Sequence, residues 1–303
     1  MTVATTLEER IAQRWGQMSP AEQRVAEFFR QNREEVLIAS AAALAAEAKT
    51  SDATVVRTAK ALGFAGLDKL RRALAQELRT SLSPAERLVH TLGAIGDSPA
   101  AALQLTLDIH QRSLDSLRRL MTPELFEAAV DGVVAARRVV VFGLGPSAAI
   151  ANYFVTQLVR FGLDAASLTN TGLLFADDLR RLRDGDLVII LAYGRVYAEL
   201  IALLDEVAGR ALRSFLVTDT LAATLRHRVD LVLPVARGQA EMLSMHTVTL
   251  GFIEALLVGV AAKRPEQTLA SLKALNEARR KLTGQPMNLP TSTPKAGDMQ
   301  AGG

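Results

Sequence analysis

Three observations predict an all-α N-terminal domain followed by an α/β three-layer domain with a five-stranded parallel sheet. Residues 7–79 of the 303-residue chain read as a run of short, capped helices. Between residues 139 and 235, five short β-rich runs alternate with helical stretches, the pattern of βαβ units whose sheet is covered on both faces. Hydrophobic residues make up 49% of the chain and aromatics only 5%, so the cores must be built mainly from Ala, Leu and Val, which suits helices and parallel strands.

The N-terminal helices follow from their ends. Leu7, Ile11 and Trp15 recur on one face of a first helix, Leu7–Trp15. Ser19-Pro20-Ala21-Glu22 places Ser at the cap, Pro at the first helical position and an acid in the first turn. A short helix is expected at Glu34–Ile38, then two more at Ser40–Ala48 and Asp52–Leu62, with Gly63 where a left-handed residue ends the second. Leu67–Leu78 follows with basic residues on its outer side. Residues 80–100 hold several Gly, Ser and Pro and read as a linker with one helical turn around Ala85–Leu92, followed by helices at Ala100–Leu120 and Pro123–Ala136.

The α/β part begins at the apolar run Val139–Phe142. The remaining strands are expected at Ala165–Leu168, Leu187–Leu191, Ser214–Val217 and Leu231–Val235. The intervening helices are Pro146–Phe161, a helix near Gly172–Leu182 and one near Ala198–Val207, and two closing helices are expected at Leu243–Ala262 and Glu266–Leu282. The expected domains are 1–80, a connecting segment 81–127, 128–283, and a Pro- and Gly-containing tail 284–303 expected to be disordered.

The net charge of +3 is too mild to mark a nucleic-acid binder. Its distribution says more: from Arg57 to Arg79 stand six basic residues (Arg57, Lys60, Lys69, Arg71, Arg72, Arg79) against Asp68 and Glu77. The chain has no Cys, which excludes disulfides and Cys-based zinc sites and suits a cytoplasmic home. The N-terminal residues lack a secretory apolar region, and the apolar stretch around Leu250–Ala262 is interrupted by Glu254 and too short to span a membrane.

The helices 40–48 and 52–62, joined by Lys49-Thr50-Ser51, have the spacing of a helix-turn-helix. Leu44, Ala45 and Ala48 can pack inward against Val55, Val56 and Leu62, while the outer face of the second helix is read as Thr50, Ser51, Asp52, Thr54, Arg57, Thr58 and Lys60. In such a motif the start of the second helix enters the major groove of double-stranded DNA. Arg57 has the reach for a bidentate guanine contact, and Lys60 suits a phosphate. From spacing alone, a helical hairpin with a merely solvated polar face remains open.

The segment from Met18-Ser-Pro-Ala-Glu-Gln-Arg through Ala53-Thr-Val-Val-Arg57 and Leu62-Gly-Phe64 resembles the N-terminal domain of the RpiR family of bacterial regulators. That family joins this domain to a SIS (sugar isomerase) domain of flavodoxin-like topology, and the resemblance runs over almost the whole chain. It implies DNA binding, a sensed small molecule and no catalysis. Gly is common in the family where Lys49 stands, so a strained or altered turn is expected here.

The run Val139-Val-Val-Phe-Gly143-Leu-Gly145-Pro-Ser147-Ala148 is strand, glycine turn and helix, which offers free N–H groups to an anion. Gly143, Gly145 and Ala148 also match a dinucleotide fingerprint. That needs an acid after the next strand, where Leu168-Thr169-Asn170 stands instead, so no cofactor is expected. The resemblance to SIS domains makes Ser147 a phosphate ligand and so implies a phosphosugar effector. Their second loop, Ser-x-Ser-Gly-x-Thr, is here Ala192-Tyr193-Gly194-Arg195-Val196-Tyr197, with the gripping hydroxyls lost. Arg195 could restore a charge-assisted contact, select another anion, or only pair with an acid. Thr218 falls in a turn that looks like the SIS Thr-Asp-Ser turn. The expected ligand set is therefore Gly143, Gly145, Ser147, Tyr193, Gly194, Arg195 and Thr218, beyond the carboxyl ends of the strands.

The four His show no metal spacing. His246 could approach a ligand from a neighbouring subunit or simply pack. Glu199 and Glu241 are the positional candidates for an isomerase base, the alternative function, and a protein-binding scaffold is the third reading. A helix-turn-helix protein usually reads a two-fold site, so a homodimer or a dimer of dimers is expected, with Leu250–Ala262 as an interface helix or a core helix.

Overall fold

The computed structural model describes residues 6–81, 83–96, 98–239 and 242–283. The N-terminal unit consists of α1 (Leu7–Arg14), α2 (Pro20–Gln31), α3 (Arg33–Ile38), α4 (Ala41–Glu47), α5 (Asp52–Ala61) and α6 (Leu67–Ser81). Their starts are chemically marked. Thr6 with Glu9 and Ser19 with Glu22 form reciprocal capping boxes, and the hydroxyls of Ser40 and Ser51 accept from the N–H groups of Ala43 and Thr54. The core gathers Leu7, Val25, Phe29, Leu37, Leu44, Val55, Leu62, Leu70 and Leu74, all almost fully buried.

The connecting segment is more helical than its composition suggests. In place of one turn, α7 runs over Pro84–Ile95, started by a capping box between Ser83 and Glu86, and buries no residue. The long α8 (Pro99–Leu120) and α9 (Pro123–Ala135) follow.

Strands β1 (Arg138–Gly143), β2 (Ala165–Leu168), β3 (Asp186–Leu191), β4 (Arg213–Thr218) and β5 (Leu231–Pro234) form one parallel sheet in the order β2-β1-β3-β4-β5. The intervening helices are α10 (Pro146–Arg160), α11 (Phe175–Arg180), α12 (Ala198–Gly209) and α13 (Ala222–Leu225), and α14 (Thr247–Lys263) and α15 (Pro265–Thr283) close the chain. Alternation along β1 sorts the two faces: Val139 and Val141 pack with α9, α10 and α14, Val140 and Phe142 with α11 and α12. The expected three-layer, five-stranded parallel fold is what forms.

Two elements depart from expectation. The one-turn α13 has no periodic signal, yet its Ala222 joins the core of the N-terminal unit. The helix α14 starts at Thr247 rather than Leu243, and it is a core helix: Val248, Thr249, Phe252, Ile253, Leu256, Leu257 and Val260 are buried. The tail 284–303 lies outside the described residues, as does Glu241. Among the described residues no helix is long and apolar enough to cross a membrane.

Candidate functional site

The helix-turn-helix is built by α4 and α5. Leu44, Ala45 and Ala48 pack on Val55, Ala59 and Leu62, with Val56 only half-buried. The turn closes α4 with paired bonds from Lys49 N to Ala46 O (3.1 Å) and Thr50 N to Ala45 O (2.8 Å). This places Lys49 in the left-handed region at φ 49°. Gly63 ends α5 in the same motif at φ 84°. Two arginines of α1 hold that end: Arg14 donates to Ala61 O (2.9 Å) and Arg10 to Leu62 O (3.4 Å), capping carbonyls that no helical N–H reaches.

The outer face of α5 is narrower than the sequence suggested. Ser51, Asp52, Arg57 and Lys60 are exposed and Thr50 is half-buried, but Thr54 is 6% exposed and Thr58 fully buried. Residues 54, 55, 58 and 59 form the inward stripe of the helix. The Thr58 hydroxyl is spent on Thr54 O at 2.9 Å, and the Thr54 hydroxyl meets Ser51 Oγ at 3.0 Å and accepts from Arg57 Nη2 at 2.9 Å. Thr54 therefore orients Ser51 and Arg57, and Thr58 cannot face a nucleic acid. Arg71 is a second correction to the basic face. It is buried, with Nε donating to Val36 O at 2.8 Å and Nη2 donating to Ala39 O, so it braces the end of α3. Lys69 and Arg72 on the same helix are exposed.

The α/β pocket, about 290 Å³, opens beyond the carboxyl ends of β1 and β3. Of the expected ligand residues, Gly145, Ser147, Tyr193 and Arg195 line it. Gly143 lies beneath it: a Cβ there would stand 2.5 Å from Ser147 O, so the glycine lets the first turn of α10 sit on the strand end. Gly145 caps α10 at φ 56° with no side-chain acceptor; Pro146 has no N–H, and Ser147 N and Ala148 N donate to Leu144 O (3.2 Å) and Gly145 O (3.0 Å), so the helix end turns its dipole rather than free N–H groups toward the pocket. Ser147 is buried at that first turn.

Tyr193 forms a wall. Its hydroxyl is 2.9 Å from Thr249 Oγ1, and burial pushes its pKa well up, so it stays neutral. Gly194 does not line the cavity. Its φ is +65° and its N–H donates to Asp219 Oδ1 at 3.2 Å. Thr218 is a correction: it is fully buried and its hydroxyl accepts from Leu221 N at 3.1 Å, closing the turn that leads into α13 rather than facing a ligand. His246 packs edge-on against Tyr193 within the same chain, ring centroids 5.5 Å apart, and burial beside Arg237 pushes its pKa down to about 4. Glu199 lines the mouth. It accepts from Gly172 N at 3.0 Å, and that bond holds its carboxyl below the usual range.

Sequence reasoning missed Arg237. It follows β5, lines the pocket, and stacks its guanidinium 5.4 Å above the Tyr193 ring. The signal was available, because ligands in such sheets gather at strand ends and Arg237 stands three residues beyond β5. Among the described residues no cluster of His, Asp and Glu could hold a metal.

Comparison with known proteins matches these two units separately. The helix-turn-helix domain of the rpiR family matches residues 5–81, and the SIS domain matches residues 133–259. The chain is thus an RpiR-family helix-turn-helix domain joined to a SIS domain, the architecture of a DNA-binding transcriptional regulator. It is 29% identical over 273 residues to the "HTH-type transcriptional regulator HexR" of Pseudomonas aeruginosa, covering 89% of this chain and 94% of that one. It is 26% identical to the "Bifunctional protein glk" of Paraburkholderia xenovorans, of whose length it spans 42%. The crystal structure of the sugar isomerase domain of an RpiR transcription factor from Sphaerobacter thermophilus covers 57% of this chain and 99% of that one, with a TM-score of 0.51 and 28% identity.

Proposed function

We propose that the exposed face of α5 reads operator DNA and that the SIS pocket senses a small anionic metabolite, a phosphosugar first among them, without transforming it. The observation that carries the pocket reading is the convergence of the first turn of α10, Ser147, Arg195 and Arg237 on one cavity. Two guanidiniums and the positive end of the α10 dipole favour a multiply charged oxyanion. Catalysis is disfavoured by what the neighbours do: the Glu199 carboxylate is committed to Gly172 N and is a weak base, and the Tyr193 hydroxyl is committed to Thr249. For DNA, the support is the exposed quartet Ser51, Asp52, Arg57 and Lys60, extended by Lys69 and Arg72. A second copy of the chain supplies the second reading head. Leucines left exposed on α8 (Leu103, Leu107) and apolar residues of α7 (Leu88, Val89, Leu92) offer it a surface.

The test is binding to a palindrome-containing fragment from upstream of the protein's own gene, at two salt concentrations, beside Arg57→Ala. Affinity should fall with salt, and the variant should lose about 1–3 kcal/mol if Arg57 reads a guanine. A loss spread equally over all sequences would make Arg57 a phosphate contact. Sugar phosphates added to the same assay should shift the affinity, and turnover of any of them would reverse the non-catalytic reading.

A further inference from the structure

The segment after β5 has two sides. On one, Arg237 enters the pocket between Tyr193 and Gly194. Its Nη2 lies where a Cβ on Gly194 would be 3.5 Å away, and its Nε is buried with no protein acceptor. A buried guanidinium donor without a partner is costly, and Arg195 in the same cavity adds like charge. An anion entering the pocket removes both penalties, so Arg237 is the group whose position depends most on occupancy.

On the other side, Ala236, Gly238 and Gln239 line a separate cleft of about 670 Å³ between the two domains. There Ser113 Oγ donates to Gly238 O at 3.4 Å, and Arg112 Nη2 donates to Gln239 Oε1 at 3.1 Å. Both donors belong to α8. About 10 Å further along that helix, Arg119 pairs with Glu35 at 3.4 Å and with Glu47 at 3.7 Å. Glu35 sits on α3 and Glu47 is the last residue of α4, two positions before Lys49 in the DNA-reading turn.

We propose, building on the anion pocket above, that Arg237 is an anion-binding residue whose strap, residues 235–239, couples pocket occupancy through α8 and Arg119 to Glu35 of α3 and Glu47 of the helix-turn-helix. Arg237 is one residue from each of the two strap residues that flank it in the cleft, so a guanidinium drawn toward an anion displaces the Gly238 carbonyl that Ser113 holds. The helix α8 is a continuous rod, and Arg119 is its contact with the reading head. The occupied and empty states differ in the set of strap bonds, which supplies the differential free energy that coupling requires.

The experiment uses the full-length protein with inorganic phosphate as probe, at matched ionic strength against chloride. Calorimetry reads affinity, and amide hydrogen exchange reads residues 235–250 and 33–50. Phosphate should alter exchange in both segments. Arg237→Gln should weaken phosphate binding about ten- to a hundredfold, the loss of one charge-assisted contact, and abolish both exchange changes. Arg237→Lys, which keeps the charge but not the fork, should fall between and guards against a misfolded Gln variant. Arg119→Gln should keep the phosphate affinity and the change at 235–250 while losing the change at 33–50. Wild-type affinity in Arg237→Gln, or intact transmission in Arg119→Gln, overturns the coupling but leaves the anion pocket standing. Failure of the wild-type protein to bind phosphate overturns both.

Discussion

Replacing Arg71 with Met separates a structural cation from a DNA-binding one. Arg71 belongs to the most basic stretch of the chain, yet its side chain is only 8% exposed and spends two donors on Val36 O and Ala39 O at the end of α3. Those carbonyls close a six-residue helix, where no following N–H can reach them. Burial lowers the Arg71 pKa, but a guanidinium remains charged in this setting, so its bonds to the carbonyls are charge-assisted. Met keeps the apolar stem and removes every donor. Each buried carbonyl left unmet costs about 1–3 kcal/mol, so the pair costs about 2–6 kcal/mol, a large share of the 5–15 kcal/mol typical of a whole domain, about 10 kcal/mol in the middle. With a urea slope of about 2 kcal/mol/M, the midpoint should fall by about 1–3 M. The assay is already built in: Trp15 is the single tryptophan and lies in the N-terminal unit, so its emission follows that unit's unfolding. Arg72→Ala on the exposed side of the same helix should leave the stability within about 0.5 kcal/mol of wild type and instead weaken DNA binding in a salt-dependent way. If Arg71→Met unfolds at the wild-type midpoint and loses DNA affinity as Arg72→Ala does, the brace is wrong and Arg71 is a phosphate contact.

The glycine turn and the half-buried histidine give two more tests. Gly143→Ala puts a Cβ 2.5 Å from Ser147 O and 2.8 Å from Ser147 C, both backbone, so the first turn of α10 must move. A stability loss of about 1–3 kcal/mol should accompany weaker anion binding, and wild-type binding in this variant would show that Ser147 and the helix N-terminus do not hold the anion. His246, with its pKa pushed down to about 4 by burial and by Arg237 and partly restored by Asp219, is neutral in the fold but takes a proton in the unfolded chain below its ordinary value. Between about pH 6.5 and 4 the unfolded state binds the extra proton, so stability is lost as pH falls through that window. His246→Gln should flatten the loss, and an NMR titration of the ring near pH 6.5 would refute the assignment.

Much of the fold is legible because short-range chemistry marks its edges. Ser19-Pro20 and Ser40 announce helix starts, Gly63 a helix end, and each β-rich run is flanked by turn residues. What was misread shares one cause: residue type was weighed above helical position. Thr54 and Thr58 fall on the stripe that also carries Val55 and Ala59, and Arg71 falls between Leu70 and Leu74 on the buried side of α6. A polar side chain on an inward stripe must find partners: Thr58 and Arg71 bond backbone carbonyls, and Thr54 bonds the side chains of Ser51 and Arg57. The pocket is less legible because it is assembled from strand ends far apart in sequence. Gly145, Ser147 and Arg195 announce themselves through loop chemistry, but Arg237 joins them only when β5 has docked at the sheet edge, and Thr218 leaves them because its hydroxyl closes the turn into α13. The full length of α7 was hidden for another reason. The Ser83–Glu86 capping box and the apolar spacing of Leu88, Leu92 and Ile95 are visible, but Gly93 within the helix and the Gly, Ser and Pro around it read as linker chemistry.

The turn of the helix-turn-helix ends on a residue that chemistry disfavours there. Lys49 at φ 49° and Ala211 at φ 50° are the two non-glycine residues with positive φ among those described, and each closes a helix with the same pair of bonds. At Ala211 these run from Ala211 N to Ala208 O (3.2 Å) and from Leu212 N to Val207 O (3.0 Å). A side chain in this region costs about 1–2 kcal/mol through its Cβ, and replacing it with Gly returns that while adding about 0.5–1 kcal/mol of unfolded-chain entropy. Both Lys49→Gly and Ala211→Gly should therefore stabilise by up to about 1.5 kcal/mol. They should part on DNA. Lys49 is exposed at the turn that presents α5, so its loss removes a positive charge from the reading face, whereas Ala211 caps α12 in the other domain. If Lys49 touches a phosphate, Lys49→Gly lowers the slope of log affinity against log salt by about one contact while Ala211→Gly leaves it unchanged. A more stable Lys49→Gly protein with an unchanged slope would mean that Lys49 is a tolerated strain with no nucleic-acid role. A less stable one would mean that contacts of the Lys stem outweigh the relief of its backbone.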